Sequence, residues 1–271
     1  MQQADSTFSS DAPIGVFDSG FGGLSVLQHL RDAMPREQFI YFADSAHLPY
    51  GDKRTEYIQA RIAVIGRFLI AQHCKAIVIA CNTATAAAAE TLRGMVSVPV
   101  IAIEPAIKPA ALQSRAGKVG VLATEGTIRS ERLAGLVNRF SQGIQVYQQP
   151  CPGLAEQVEK GELNSPETRA LLQTYLTPMQ QAGVDTLVLG CTHYPFLRDL
   201  IVEIMGYEVS IIDAGEAVAR QTMRRLMDIG GLAKPGEAGR VQVYTSAARE
   251  MDSRLASRLL STPLDVIPVA V

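Results

Sequence analysis

Apolar residues along this chain fall into two spacings that alternate almost from end to end. Short unbroken runs, such as Ile14-Gly15-Val16-Phe17, Ile77-Val78-Ile79-Ala80 and Leu187-Val188-Leu189, have no polar face. That is the mark of strands buried on both sides in a parallel sheet. Between them, apolar positions recur every three or four residues, as at Ile58, Ile62, Ile65 and Leu69, the spacing of a helix with one buried face. In chain order the pattern predicts a strand over 14–17, a helix over 24–34 stopped by Pro35, and a strand over 39–43 closing on Asp44. A turn-rich loop at 47–51, a helix over 55–73, a strand running into Cys81 and an alanine-rich helix over 84–94 follow.

A second series opens with strands over 98–103 and 118–123, a helix over 130–140 and a strand over 144–147. Helical stretches at 154–160 and 166–181 lead to a strand running into Cys191, then a helix from Pro195 to about 205. The last third adds a strand over 209–212, a helix over 215–227, a strand over 241–245, a helix over 252–260 and a tail over 266–271. Steady alternation of this kind makes the fold class α/β, with mainly parallel sheets flanked by helices.

The order strand, polar turn, helix, strand, helix, strand, cysteine, helix occurs twice. Gly15 stands 66 residues before Cys81 and Gly120 stands 71 before Cys191. Near-equal offsets suggest two pseudo-twofold-related lobes with a site in the cleft between them, although α/β chains repeat this grammar without duplication as well. In open α/β sheets a ligand binds beyond the carboxyl ends of the strands. Each lobe would therefore offer one cysteine to a shared ligand.

Composition narrows the function classes. With 47% hydrophobic residues and a formal net charge of −2, the chain can bury a large core and carries no basic footprint for nucleic acid. No apolar run approaches the roughly 18 residues that span a bilayer, and the polar start at 1–13 does not read as a signal peptide. Cys74, Cys81, Cys151 and Cys191 are far apart with no C-x-x-C pair, so neither a zinc site nor a disulfide framework is expected. Free thiols fit a reducing, cytoplasmic setting.

The candidate chemistry lies around two of those thiols. A cysteine at the end of a buried strand is most often just a small packed hydrophobe. Here both precede an expected helix start, where free N–H groups favour a thiolate, and both are followed by ligands for an anion: Asn82 and Thr83, Thr192 and His193. Hydroxyls, an amide and helix N-termini suit a carboxylate. Asp18, at a strand tip, could relay or orient a proton beside a cysteine, and His193 could hold Cys191 as thiolate or exchange its proton. Gly20-x-Gly22 followed by Asp44 looks like a dinucleotide fingerprint, but Ser25 replaces its third glycine and Asp18 would face the pyrophosphate. His29, His47, His73, Cys74 and Cys151 read as structural, and Glu159 as a solvated charge by default.

Four motifs stand in order: Asp18-Ser19-Gly20-Phe21-Gly22-Gly23, Pro49-Tyr50-Gly51, Cys81-Asn82-Thr83-Ala84 and Gly190-Cys191-Thr192-His193-Tyr194-Pro195, with Val243-Tyr244-Thr245-Ser246 near the end. Together they resemble those of the glutamate racemases, within the aspartate/glutamate racemase family, from Ile14 to about Val266. The resemblance implies a cofactor-independent enzyme that interconverts L- and D-glutamate and supplies D-glutamate for peptidoglycan. It makes Cys81 and Cys191 the catalytic acid/base pair, one on each face of the substrate Cα, assisted by Asp18 and His193 respectively. It places Asp18, Ser19, Tyr50, Gly51, Asn82, Thr83, Thr192 and His193 around the substrate and gives Glu159 an auxiliary catalytic role. It also implies a homodimer of two-lobed subunits, the first lobe being 14–98 completed by 208–271, the second 99–207, and 1–13 a flexible tail. So short an extension argues against the longer forms that need a wall-precursor activator.

The residues support that chemistry on their own terms. Racemisation takes a proton from one face of Cα and returns one to the other, so it needs two groups. Neither cysteine motif offers the Schiff-base lysine of a pyridoxal enzyme, which leaves amides, hydroxyls and exclusion of water to stabilise the carbanion. Racemisation of aspartate or a related small acid, a nucleotide-dependent oxidoreductase and a non-catalytic small-acid-binding protein remain the alternatives.

Overall fold

Every strand pairing is parallel in the computed structural model, which describes residues 9–247 and 249–271. The chain begins β1 (Ile14–Asp18), α1 (Leu24–Ala33), β2 (Phe39–Ala43), α2 (Thr55–Ala71), β3 (Ala76–Ile79), α3 (Asn82–Met95) and β4 (Val100–Ala102). It continues with α4 (Ile107–Gln113), β5 (Lys118–Ala123), α5 (Glu125–Ile128), α6 (Glu131–Phe140), β6 (Gln145–Pro150), α7 (Leu154–Glu159) and α8 (Pro166–Gln181). Then come β7 (Thr186–Leu189), α9 (Arg198–Met205), β8 (Ser210–Ile212), α10 (Gly215–Asp228), β9 (Val241–Thr245), α11 (Asp252–Leu260) and β10 (Val266–Pro268).

The strands form two sheets, ordered β10-β9-β2-β1-β3-β4 and β6-β5-β7-β8. The second repeats the order β2-β1-β3-β4 strand for strand, so the duplication suggested by the cysteine offsets is present in the topology. The six-stranded sheet carries two extra edge strands supplied by the C-terminal segment.

Residue type explains which strands are central. β1, β3 and β7 are buried along their whole length, and alternate side chains feed opposite faces. Val16 and Val78 join one core while Phe17, Ile77 and Ile79 join the other. Leu187 and Leu189 likewise oppose Val188 across the smaller sheet. β6, rich in glutamine, is a half-exposed edge. α2 turns Ile58, Ile62, Ile65 and Leu69 inward, as its spacing requires.

Three local expectations change. The apolar run at 98–103 does not open the second series; β4 pairs with β3 at the edge of the first sheet. The run expected as a tail supplies β10, held by main-chain pairing to β9. A helix, α4, lies where no periodic pattern marked one, because Pro105 and Pro109 interrupt the signal; a proline in the first turn costs no hydrogen bond. By sheet membership, β4 goes with the first series and β8 with the second, a few residues beyond the expected boundaries at 98 and 208. Of the expected flexible tail at 1–13, residues 1–8 lie outside the described residues.

One polar link braces the base of the larger sheet. Lys75 and Glu37 are both buried, with Nζ 2.5 Å from Oε2. Nζ also donates to the Ser10 carbonyl at 2.5 Å and Glu37 Oε1 accepts from the Ala233 N–H at 2.8 Å. Removing one member of such a pair strands the other charge away from water. Lys75→Ala should therefore lower unfolding free energy by about 3–5 kcal/mol, while Lys75→Met combined with Glu37→Leu should recover most of the loss. Urea denaturation of the three proteins measures both effects.

Candidate active site

The carboxyl ends of β1, β3, β5 and β7 converge on a cavity lined by residues from both sheets' halves of the chain, with Cys81 and Cys191 both in its wall. It is narrow, with about 20 Å³ of free volume, roughly room for one water. Ser19, Tyr50, Gly51, Asn82, Thr83, Thr192 and His193 also line it. Asp18 and Glu159 do not reach the wall; both are buried behind it. The structure thus gathers all the sequence-predicted site residues in one place, in two layers.

Cys81 caps α3, its Sγ accepting from the Ala84 N–H at 3.4 Å and lying 3.7 Å from Ser19 Oγ. Burial pushes the Cys81 thiol well up and the charge of Asp18 adds to this, against the pull of the Ala84 N–H and Ser19. Asp18 makes no hydrogen bond to that sulfur. Its Oδ2 accepts from the Gly23 N–H at 2.8 Å and from the Thr192 hydroxyl at 3.2 Å. Burial raises the Asp18 carboxyl too, with the charge of His193 opposing. A carboxyl moved towards neutrality is well suited to exchanging protons.

Cys191 sits differently. Tyr194–Leu197 is a single 3-10 turn and the α-helix begins only at Arg198, so the expected helix start next to this sulfur is absent. Its partner is instead His193, with Nδ1 3.6 Å from Sγ. His193 Nε2 faces Glu159 Oε1 at 2.9 Å. Oε1 also accepts from the Phe21 N–H at 2.5 Å, and Oε2 from Arg249 at 3.1 Å. Glu159 is only 4% exposed, so the default reading of it as a solvated charge is overturned. Burial acts to raise its carboxyl, but His193, Phe21 N–H and Arg249 outweigh it and hold Glu159 below the ordinary carboxylate range. Burial likewise acts to lower His193, and its bonds to Cys191 and Glu159 reverse that and carry it well above the usual imidazole value. Glu159 accepts a hydrogen bond from Nε2–H, which leaves Nδ1 to trade a proton with Cys191.

Around the rim, Tyr50 donates to Asp44 Oδ2 at 2.5 Å, and Arg61 grips the same carboxylate at 2.8 and 3.0 Å. Asp44 therefore fixes the Tyr50–Gly51 loop rather than a ribose. Gly20 and Gly22 serve close packing: a Cβ on Gly20 would strike the Glu159 carboxylate and one on Gly22 the His193 ring. The fingerprint resemblance thus has a different physical cause. Thr83 Oγ1 lies 2.8 Å from Thr124 Oγ1 across the cleft. Asn82 Oδ1 is buried with no partner, an acceptor left for a ligand. Among the described residues, no lysine or arginine lines the cavity.

Sequence reasoning missed Thr124 and Arg249. The offset from Gly15 to Gly120 carries Ser19 onto Thr124, so the duplication held the signal for the first; nothing local marks the second. Cys74 is packed in a core, its thiol pushed up to about 12 by burial, and Cys151 lies in another. Among the described residues no group of three or more His, Cys, Asp or Glu could hold a metal ion, and no helix is long and apolar enough to cross a membrane.

Residues 14–222 match the family described as Asp/Glu/Hydantoin racemase. The chain is 51% identical over 256 residues to a glutamate racemase of Pseudomonas aeruginosa, covering 94% of this chain and 96% of that one. Its structure is similar to that of a glutamate racemase isoform of Bacillus anthracis, with a TM-score of 0.87 and 32% identity over 96% of this chain and 98% of the other. It is also similar to the Francisella tularensis glutamate racemase in complex with D-glutamate, with a TM-score of 0.82 and 31% identity over 95% and 98% of the two chains.

The paired shifts of Glu159 and His193 predict a two-sided pH profile. A lowered carboxyl stabilises the fold above its unfolded value, a benefit lost as pH falls through the folded value. A raised imidazole stabilises below its unfolded value, a benefit lost as pH rises through the folded one. The melting temperature of the parent should therefore exceed that of Glu159→Gln most near neutrality, with the gap narrowing on both sides. Thermal scans from about pH 4 to about pH 10, bracketing both ordinary values, test this. A gap that is constant throughout would contradict it.

Proposed function

The chain belongs to the Asp/Glu/Hydantoin racemase family, and we propose that it interconverts L- and D-glutamate without a cofactor, using Cys81 and Cys191 as its two proton-handling groups. The observation that carries this reading is the pair of thiols, delivered from matching strand ends of two like-ordered sheets into one cavity. The relation to a glutamate racemase at 51% identity over 94% of the chain supports glutamate as the substrate.

The chemistry follows from that placement. One sulfur, as thiolate, takes the Cα proton; the electron pair stays on Cα and spreads into the carboxylate. The other sulfur, as thiol, gives its proton to the opposite face and is left as thiolate. The product enantiomer finds the sulfurs in exchanged roles, so both directions run on one site. Each sulfur has its own proton partner: His193 touches Cys191, and Asp18 acts on Cys81 through its charge. Glu159 holds the His193 ring with Nδ1 turned to Cys191.

With no lysine or arginine among the described residues of the cavity wall and with His193 paired to Glu159, the substrate's charges are met by dipoles. The Ser19 and Thr83 hydroxyls and the N–H groups opening α3 are the donors for carboxylate, while the Thr192 hydroxyl donates to Asp18. Asn82 Oδ1, buried and unpartnered, is the acceptor for the ammonium group, and Tyr50 with Gly51 closes the rim. By its resemblance to the glutamate racemases the chain works as a cytoplasmic homodimer and supplies D-glutamate for peptidoglycan.

Cys81→Ala and Cys191→Ala should each lower kcat at least about 10²- to 10⁴-fold, the range for loss of a proton-transfer group, while the melting temperature moves little. Circular dichroism of either glutamate enantiomer follows turnover, and uptake of deuterium at Cα in heavy water follows the first step. Normal racemisation by either variant, or a parent that binds glutamate and never exchanges its Cα hydrogen, would overturn the reading.

A further inference from the structure

Arg249 stands outside the cavity, just beyond the end of β9, yet its guanidinium reaches the carboxylate behind His193. Nη2 donates to Glu159 Oε2 at 3.1 Å, and Nε donates to Asp252 Oδ1 at 2.7 Å. The same guanidinium lies 5.9 Å from the centre of the Phe21 ring, a favourable position for a cation over an aromatic face. Asp252, the first residue of α11, is itself buried, and its second oxygen has no partner among the described residues. Arg249 is therefore the cation between two buried carboxylates, Glu159 and Asp252.

The position of Glu159 gives that contact its meaning. Glu159 and His193 belong to the half of the chain built on the four-stranded sheet. Phe21, whose N–H Oε1 also accepts, and Arg249 belong to the half built on the six-stranded sheet. One carboxylate thus reads the approach of the two halves and passes its orientation to the imidazole beside Cys191. We propose that Arg249, aimed by Asp252, is a positioning residue for racemisation: it pins Glu159 Oε2 so that Oε1 meets His193 Nε2 and His193 Nδ1 meets the Cys191 sulfur. This rests on the racemase reading above.

The reason is geometric. A carboxylate has two oxygens, and Oε1 already serves two donors. Without a donor on Oε2, the buried carboxylate is free to turn about its terminal torsion, where rotamer preferences are broad, and its desolvated oxygen draws it towards other donors. The His193 Nε2 bond then loses its fixed direction, and with it the 3.6 Å alignment of Nδ1 on Sγ. Small misplacements of a proton-transfer group cost rate rather than binding.

The plainer alternative is that Arg249 only ties the C-terminal segment down. Arg258, on α11, offers the control, since it also bridges the halves: its Nη1 donates to the Gly161 carbonyl at 2.8 Å and it does not touch Glu159. The test measures kcat, KM and melting temperature for Arg249→Ala, Arg249→Lys, Asp252→Asn and Arg258→Ala, with Arg249→Ala repeated on a Glu159→Gln background. The positioning role requires Arg249→Ala to lose about 10- to 100-fold in kcat with KM within about twofold. Arg249→Lys, which restores one donor, should regain part of the loss, Asp252→Asn should lose less, and Arg258→Ala should keep the parent kcat. On the Glu159→Gln background, removing Arg249 should cost nothing further, since both act through one carboxylate. An unchanged kcat for Arg249→Ala, an equal loss for Arg258→Ala, or losses that multiply with Glu159→Gln would overturn it. Failure of the parent to exchange the Cα hydrogen of glutamate would instead overturn the racemase reading.

Discussion

An imidazole and a carboxylate, both shut away from water at the junction of the two halves, are the constraint around which the site is built. Each alone would be costly to bury as an ion; together, at 2.9 Å, each keeps the other charged. Much of the surrounding sequence follows. Gly20 and Gly22 have no side chain because Glu159 and His193 occupy that space. The turn after β1 exposes the Phe21 N–H to Oε1, and Tyr41 steadies that turn by donating to the Gly20 carbonyl at 2.7 Å. A turn that resembles a phosphate cradle is here a socket for two side chains from the other half.

Duplication supplies two thiols, and divergence makes them unlike. The sheets repeat one strand order, yet Cys81 caps a full α-helix while Cys191 opens onto a 3-10 turn. The first sulfur has main-chain N–H groups and Asp18 near it; the second has an imidazole. Thr192 ties the two environments, since its hydroxyl donates to Asp18 while its carbonyl accepts from Ser25. Symmetric architecture places two groups on one carbon. Asymmetric neighbours let each sulfur be tuned separately.

The sheets were legible in the sequence because a strand buried on both faces has no polar position to hide it. The cysteines were legible because they end such strands, and Thr124 was available through its register with Ser19. Glu159 was recoverable only through family resemblance: a glutamate on a short helix is solvent-facing in most proteins, and its burial depends on Phe21, His193 and Arg249, which are remote in sequence. Arg249 was invisible for the same reason, its partner lying 90 positions away. α4 was lost to Pro105 and Pro109, and β10 to its three-residue length. Local pattern reports what a residue does to its own backbone. It is silent on charges satisfied across a cleft.

That silence bears on how the site holds an acid with no lysine or arginine in its wall. A fixed cation would bind glutamate strongly but would also stabilise the ground-state carboxylate as much as the carbanion, which adds nothing to the rate. Hydroxyls and helix N–H groups in a cavity with room for about one water act differently: their effect grows as water leaves and charge develops on the substrate. The imidazole of His193, in the wall, is answered by Glu159, and Arg249, one layer back, answers Glu159 and Asp252 instead of the substrate. Those pairs and the cavity lie at one junction between the halves. The contacts that join the halves beside the cleft are therefore also the contacts that set the proton chemistry.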